Sequence, residues 1–217
     1  MRWIDKLDRK IGRFSIPNLM LIVSTGMFVV YLFSMLFPEK NLMSYLTLNM
    51  AAVANGEIWR LLTFIILPPQ SSIFFILFAL YFYVIIGSSL EKEWGSFKFN
   101  VFYLFGIVGT IVAALISGGS DNIFLNLSLF LAFAILFPNH EILLFFILPI
   151  KVKYLAILDA IFFGISLILG TWQVRAAIIA SLVNIIIFFG GDFYRFIKNK
   201  VRNEKWRRDS KITMTKK

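Results

Sequence analysis

The chain has 217 residues, of which 59% are hydrophobic and 16% charged, with a formal net charge of +10. A soluble domain of this length carries more charge, so the composition indicates an integral membrane protein. The absence of cysteine excludes disulfides and thiolate metal sites, and a single histidine excludes a histidine-rich metal site, so we expect no metal and no cofactor. The basic residues cluster beside apolar runs and in both tails, which indicates anionic lipid rather than nucleic acid as their partner.

The first segment, residues 1–16, has the pattern of an amphipathic helix. Apolar residues recur in it at helical spacing with arginines and lysines between them: Trp3, Ile4, Leu7, Ile11 and Phe14. Such a helix lies along the membrane interface with its apolar face in the lipid. No small-residue cleavage site follows the first apolar run, so we expect the segment to be retained rather than removed as a secretory signal.

Residues 17–190 are predicted to form the membrane domain. Six apolar stretches in it are predicted to cross the bilayer, and they run roughly over residues 18–37, 72–89, 97–117, 122–137, 154–169 and 172–189. Two further apolar segments, residues 61–67 and 142–150, are too short to cross. The mixed segment 41–60 is expected along the interface. The predicted fold is therefore an all-α integral membrane bundle of six transmembrane helices.

Positive charge predicts the orientation of this bundle. With six spans, most basic residues fall on one side: those of the N-terminal segment, Lys92, Lys98, Lys151, Lys153 and those of residues 191–217. By the positive-inside rule that side is cytoplasmic, so both termini are predicted to be cytoplasmic, with residues 191–217 as a basic and mostly unfolded tail. The composition, rich in Phe, Ile, Lys and Asn, is compatible with a bacterial cell membrane, which is the location we predict.

Two motifs carry a resemblance to a known superfamily. Gly56-Glu57-Ile58-Trp59-Arg60 looks like the Trp-Arg motif of the first rhomboid loop, and the second span ends in Glu91-Lys92-Glu93-Trp94-Gly95. With a long loop after span one and a short fourth span, these motifs make residues 56–189 resemble the rhomboid superfamily, including its derlin-like members. The resemblance implies a rhomboid-like bundle. We interpret the family-motif loop residues as loop anchors in preference to client contacts: Trp59, Arg60, Glu91, Trp94 and Gly95.

Active rhomboids use a serine on span four as nucleophile, a histidine on span six as base, and two residues of span two to hold the oxyanion. The resemblance assigns other residues to these positions here: Ile123 to the nucleophile, Ser181 to the base, and Ser72 and Ile76 to the oxyanion. The nearest serine to the nucleophile position is Ser128. It lies 12 positions before His140, roughly 18 Å along a helix, whereas proton transfer requires about 3 Å.

Five polar residues within the predicted spans are candidates for an intramembrane site: Asn126, Ser128, Asp159, Ser181 and Asn184. Polar groups in hydrocarbon are costly, so they face a partner or a cavity. One interpretation is a polar groove between spans four, five and six that receives a client transmembrane helix. The other, favoured for every residue except Asp159, is hydrogen bonding between helices. Asp159 is expected either to pair with Lys151, Lys153 or Asn184, or to be protonated.

The sequence therefore favours a non-catalytic pseudoprotease, a multi-pass membrane protein that binds or hands on other membrane proteins. Its expected partners are the lipid bilayer and the transmembrane helices of clients. The alternative is an active intramembrane serine protease with Ser128 as a displaced nucleophile. A third class, a small transporter that uses Asp159, is disfavoured because the sequence contains neither inverted repeats nor paired broken helices.

Overall fold

A computed structural model of the protein describes residues 2–69, 72–144 and 148–190, and these ranges are mostly helical. The α-helices in them are α1 (Arg2–Ile11), α2 (Leu19–Leu36), α3 (Leu42–Leu46), α4 (Met50–Ala54), α5 (Arg60–Thr63), α6 (Ile73–Trp94), α7 (Ser96–Ser117), α8 (Ile123–Leu136), α9 (Val152–Leu169) and α10 (Trp172–Gly190). Short 3-10 helices lie at Gly12–Phe14, Pro38–Lys40 and Phe64–Ile66. The predicted basic tail, residues 191–217, lies outside the described residues.

Five helices of the described chain are long and apolar enough to cross a membrane: α2 with the residues from Gly12 that precede it, α6, α7, α9 and α10. The prediction of a multi-pass, mostly helical membrane protein is therefore confirmed. The remaining predicted span is α8, whose 14 residues give a length of about 21 Å against a hydrocarbon core of about 30 Å. A count of six spans thus stays a prediction.

Two small antiparallel sheets correct the all-α prediction. Strand β1 (Leu48–Asn49) pairs with β2 (Gly119–Ser120), and β3 (Glu141–Leu144) pairs with β4 (Leu148–Lys151). The second pair contains the apolar segment that was too short to span. Pro149 lies within β4. Because proline lacks the N–H that a helix interior requires, it would interrupt a helix here, and the segment pairs as two short strands instead. The first pair ties the segment after α2 to the turn between α7 and α8.

The junction of α6 and α7 is shorter than the sequence indicates. Glu91 and Trp94 belong to the last turn of α6, and Gly95 alone separates the two helices. The prediction that these two residues lie in a loop is wrong, because α6 continues through Gly87, Ser88 and Ser89, and the Glu and Lys residues that follow favour helix. Gly95 has a φ of 83°, in the left-handed region that glycine adopts without steric cost, and it therefore ends α6.

The main core joins α2, α6, α7 and α8. Its fully buried side chains include large aromatic and aliphatic groups: Met20, Met27, Ile86, Phe99, Phe102, Tyr103 and Phe133. Ile4 of α1 is 1% exposed and belongs to this core, whereas Leu7 and the basic residues Arg9 and Lys10 are exposed. The predicted N-terminal helix is therefore observed, and one apolar residue of it contacts the bundle. The outer faces of α9 and α10 present large apolar side chains, as lipid requires.

Candidate functional site

Arg60 organises the segment that follows α2. It is 7% exposed, and its Nη1 donates to the carbonyl oxygens of Ser44 at 2.6 Å and Thr47 at 2.8 Å. Its Nε donates to Glu57 Oε2 at 2.6 Å, so the guanidinium is held by an ion pair as well. Since arginine offers five donors in a rigid fork, one side chain fixes three separate acceptors of this segment.

The residues beside Arg60 act on the same segment. Trp59 Nε1 donates to the carbonyl oxygen of Tyr45 at 3.3 Å, and Thr63 Oγ1 donates to that of Leu46 at 3.3 Å. The Trp59 ring itself is 48% exposed. Trp59 and Thr63 thus bond to the carbonyls of Tyr45 and Leu46, which lie between the two that Arg60 bonds, so residues 44–47 are all held by this segment. These contacts favour the interpretation of Trp59 and Arg60 as loop anchors.

Glu91 joins three elements at the other motif. Its Oε1 accepts hydrogen bonds from the backbone N–H of Asn18 at 2.9 Å and from Ser96 Oγ at 2.6 Å. Asn18 precedes α2 and Ser96 begins α7, so one carboxylate connects the starts of two helices to the end of α6. Asn100 reinforces the link, because its Nδ2 donates to the carbonyl oxygen of Ile16 at 3.1 Å.

Trp94 anchors the same end of the bundle through its ring. The indole lies with ring centroids 5.4 Å from Phe102, 6.3 Å from Phe188 and 5.5 Å from Phe189. The last two residues belong to the end of α10, so Trp94 packs the α6–α7 hairpin against that helix. Aromatic pairs at such distances contribute roughly 1 kcal/mol beyond the area that they bury. Structural contacts therefore account for Glu91 and Trp94, and the positive φ of the helix junction accounts for Gly95.

Three of the five predicted intramembrane polar residues make hydrogen bonds between or within helices. Ser128 Oγ donates to the carbonyl oxygen of Leu125 at 2.7 Å within α8. Ser181 Oγ, on α10, donates to the carbonyl oxygen of Phe124 at 2.8 Å on α8. Asn184 Nδ2, also on α10, donates to the carbonyl oxygen of Phe102 at 3.3 Å on α7. Each of these three side chains is at most 5% exposed.

The other two polar residues share a cavity. Asn126 and Asp159 line a space of about 630 Å³ between α6, α8 and α9. The Tyr83 side chain of α6 lines the same cavity. Within the described part of the chain, Asn126 Oδ1 and Asp159 Oδ2 are buried and have no hydrogen-bond partner. The rest of the lining is apolar: Phe78, Ala79, Phe82, Ile123, Leu127, Phe130, Ile142, Leu155, Leu158 and Phe162.

This arrangement corrects the predicted groove between spans four, five and six. The walls of the cavity are α6, α8 and α9, so α6 takes the place that the prediction gave to α10. Ser181 and Asn184 bond to neighbouring helices instead of lining this space. The physical reason is that α10 packs against α7, where Gly109 allows close approach to Ala180.

None of the predicted partners of Asp159 hydrogen-bonds to it in the described chain. Lys151 is exposed, and Lys153 Nζ lies over the Tyr154 ring, 5.1 Å from its centroid. Asn184 donates to Phe102 on another helix. Asp159 lies seven residues into α9, about 10 Å from the helix start at 1.5 Å per residue. A carboxyl group at that depth is costly without a donor.

The residues considered for catalysis form no serine–histidine pair in the described chain. Ser128 is fully buried, and within the described residues its hydroxyl bonds only to its own helix. His140 lies beyond the end of α8, exposed, with its ring 5.8 Å from that of Phe133. Ser72 is exposed at the start of α6, Ile76 is fully buried, and Ile123 is 50% exposed at the cavity rim. No described histidine lies within hydrogen-bonding distance of a membrane-buried serine.

Asn122 is a structural residue that the sequence interpretation missed. Its Nδ2 donates to the carbonyl oxygens of Ile65 at 3.1 Å and Leu67 at 2.9 Å, and it is 6% exposed. Beside it, Asp121 Oδ1 accepts from the Ile123 backbone N–H at 3.0 Å. Asp121 lies outside the spans, and burial raises the pKa of its carboxyl. The Gly-Gly-Ser-Asp-Asn run before an apolar helix was the available signal, since such residues cap helices and close turns.

Comparison with protein families identifies the chain at the level of a membrane family. No curated protein matches it. The model of the eukaryotic integral membrane protein family DUF1751 matches residues 21–213. The predicted bacterial origin is therefore wrong, because a composition shaped by the bilayer does not distinguish the cells that contain it. Within the described ranges, no group of three or more His, Asp or Glu side chains is placed to hold a metal ion. The chain belongs to the DUF1751 family of eukaryotic integral membrane proteins.

Proposed function

We propose that this protein is a non-catalytic, rhomboid-like membrane protein that binds a transmembrane helix of a client protein in the cavity between α6, α8 and α9. One observation carries the proposal. Two buried acceptor oxygens, Asn126 Oδ1 and Asp159 Oδ2, line a single cavity of about 630 Å³ and have no donor within the described residues.

The two unsatisfied oxygens are informative because a bilayer surrounds the protein. An unsatisfied polar group in hydrocarbon costs on the order of several kcal/mol, and lipid acyl chains have no donors. Residues of this kind are retained in membrane proteins where a ligand, an ion or another helix meets them. A transmembrane helix packed against the cavity suits this lining, because its apolar side chains match the phenylalanine and leucine residues and its polar side chains supply donors.

The contacts of Ser128 support a non-catalytic role. A serine becomes a nucleophile when a base within hydrogen-bond reach takes its proton. Here the Ser128 hydroxyl donates to the Leu125 carbonyl, the common back-bonding of serine inside a helix. The His140 ring packs against Phe133 beyond the end of α8. In the alternative function, an active serine protease, these two residues would have to meet.

A crosslinking experiment tests the binding proposal. The chain has no cysteine, so one cysteine introduced at Leu158, which is 65% exposed and lines the cavity, reports on that site alone. The matched control is a cysteine at Leu104 of α7, which is 56% exposed. We expect a synthetic transmembrane helix with one cysteine to crosslink to Leu158→Cys and not to Leu104→Cys in lipid vesicles. Equal crosslinking at both positions would contradict the proposal.

A cleavage assay tests the protease alternative. The purified protein in lipid vesicles is incubated with a transmembrane substrate, beside the Ser128→Ala variant as control. We expect no difference between the two proteins, because Ser128 lacks a base. Cleavage that disappears in Ser128→Ala would replace the non-catalytic proposal with an intramembrane hydrolase.

A further inference from the structure

We infer that the client helix bound in this cavity carries a lysine or arginine at the depth of Asp159. This inference rests on the proposed function and adds the chemistry of the partner. It follows from the kinds of polar atom that the cavity presents and from the absence of a cation beside them in the described chain.

The two polar atoms without partners are both acceptors. Asp159 Oδ2 belongs to a carboxyl group and Asn126 Oδ1 to an amide. A partner that satisfies both oxygens must therefore supply donors. A lysine ammonium has three donors and no acceptor, and an arginine has five, so one such side chain carries enough donors for both oxygens. A serine or threonine hydroxyl has a single donor.

The charge of the cavity lining narrows the choice of partner side chain further. Asp159 is the one acidic residue among the described residues that line the cavity, and no lysine or arginine lines it. The nearest cations along α9 are engaged at the membrane surface or exposed there, as Lys153 over the Tyr154 ring shows. An intramembrane acidic group usually pairs with another polar or charged group. The position therefore suits a cation delivered by a partner.

Geometry sets the depth at which that cation is expected. Asp159 lies about 10 Å from the start of α9, roughly a third of the bilayer core. A client helix packed along α9 would carry its lysine or arginine about seven residues from its end at the face where α9 begins. A residue at the middle or at the opposite end of the client would not reach the carboxyl group.

The experiment uses the full chain with Leu158→Cys in lipid vesicles and a set of synthetic helices. Each helix consists of leucine and alanine, has one cysteine, and differs at one position seven residues from the chosen end, which carries Leu, Lys or Glu. Basic residues that flank the helix fix its orientation in the bilayer. The yield of thiol crosslinking is measured for each helix, with Leu104→Cys as the control for non-specific contact.

We expect the Lys helix to crosslink to Leu158→Cys roughly fivefold more than the Leu helix, as intramembrane polar contacts permit. The Glu helix is expected below the Leu helix. Asp159→Asn should bring the Lys helix down to the yield of the Leu helix while leaving the Leu helix unchanged. The unchanged Leu helix shows that the variant folds.

The possible failures are distinguishable. Equal yields for the Lys and Leu helices, or equal yields for Lys and Glu, would overturn the inference about the cation and leave the cavity as a helix-binding site. A preference for Lys that survives in Asp159→Asn would overturn the role of Asp159. Yields at Leu158→Cys no higher than at Leu104→Cys for any helix would overturn the proposed function and, with it, the inference.

Discussion

Two polar regions of the molecule differ in how the chain satisfies them. Around Arg60, the Nε and Nη1 donors meet carbonyl and carboxylate oxygens from residues 44–57. Around Asp159, two buried acceptors meet no donor in the described chain. The Trp59-Arg60 motif thus serves the fold, whereas the two unsatisfied acceptors that share one cavity suit a place for a partner.

The largest effect is expected when Arg60, which holds the first region together, is replaced. Arg60→Ala removes three hydrogen bonds and leaves Glu57 without its cation, so we expect the free energy of unfolding to fall by about 3 kcal/mol. Chemical denaturation in detergent micelles measures it. Arg60→Lys keeps the charge but not the planar fork, and it should lose most of the same stability. A loss below about 1 kcal/mol in Arg60→Ala would contradict the anchoring role.

A second prediction concerns the scaffold that positions the cavity wall. A methyl group at Gly87 of α6 would overlap Met20 Cβ on α2, so we expect Gly87→Ala to cost about 2 kcal/mol. Gly164 of α9 is the matched control, because nothing lies within 4 Å of the position that a Cβ atom would take there. Gly164→Ala should raise stability by up to about 1 kcal/mol through helix propensity. Equal effects in thermal unfolding would show that α2 and α6 do not pack this closely.

The third prediction concerns the Asp159 region, where a substitution is expected to raise stability and not to lower it. Asp159→Leu removes a carboxyl group that has no donor within the described residues, so we expect the free energy of unfolding to rise by about 1 kcal/mol. Ser181→Ala removes a hydroxyl that donates to Phe124 at 2.8 Å, so the same measurement should show a loss of about 1 kcal/mol. A strong destabilisation by Asp159→Leu would mean that the carboxyl group belongs to the fold and not to a partner.

The smallest effect is a pH dependence at the turn before α8. Burial raises the pKa of Asp121, so the folded chain holds this proton to a higher pH than the unfolded chain does. The stabilising contribution is therefore fully present below the ordinary carboxyl pKa and is lost as the pH rises through the folded value. Thermal unfolding midpoints against pH should decline over that interval, and Asp121→Asn should flatten the decline. An identical pH profile in both proteins would contradict the assignment.

The sequence predicted most of the helix boundaries because strong breakers mark them. Pro38, Gly118 and Pro138 each lie at or beside the end of a helix, whereas α6 continues to Trp94 beyond the predicted end at residue 89. The β-hairpin after α8 was not predictable in the same way, because a short apolar run has no periodicity that separates strand from helix.

The candidate site was predictable only in part. All five polar residues singled out within the spans are buried, as the cost of polar groups in hydrocarbon requires. Which of them share a cavity was not predictable, because helices that are apolar on all sides do not reveal which face meets which neighbour. Tyr83, which also lines the cavity, was not predictable for the same reason: it stands in an apolar run, where an aromatic residue is ordinary.

The most direct test of the central claim is the crosslinking yield between a transmembrane helix and a single cysteine in the cavity wall. If the cavity between α6, α8 and α9 receives a client helix, a cysteine at Leu158 will capture that helix well above the level seen at Leu104 on the exposed side of α7. If the two positions capture it equally, the helix only diffuses past the protein, and the cavity does not bind it.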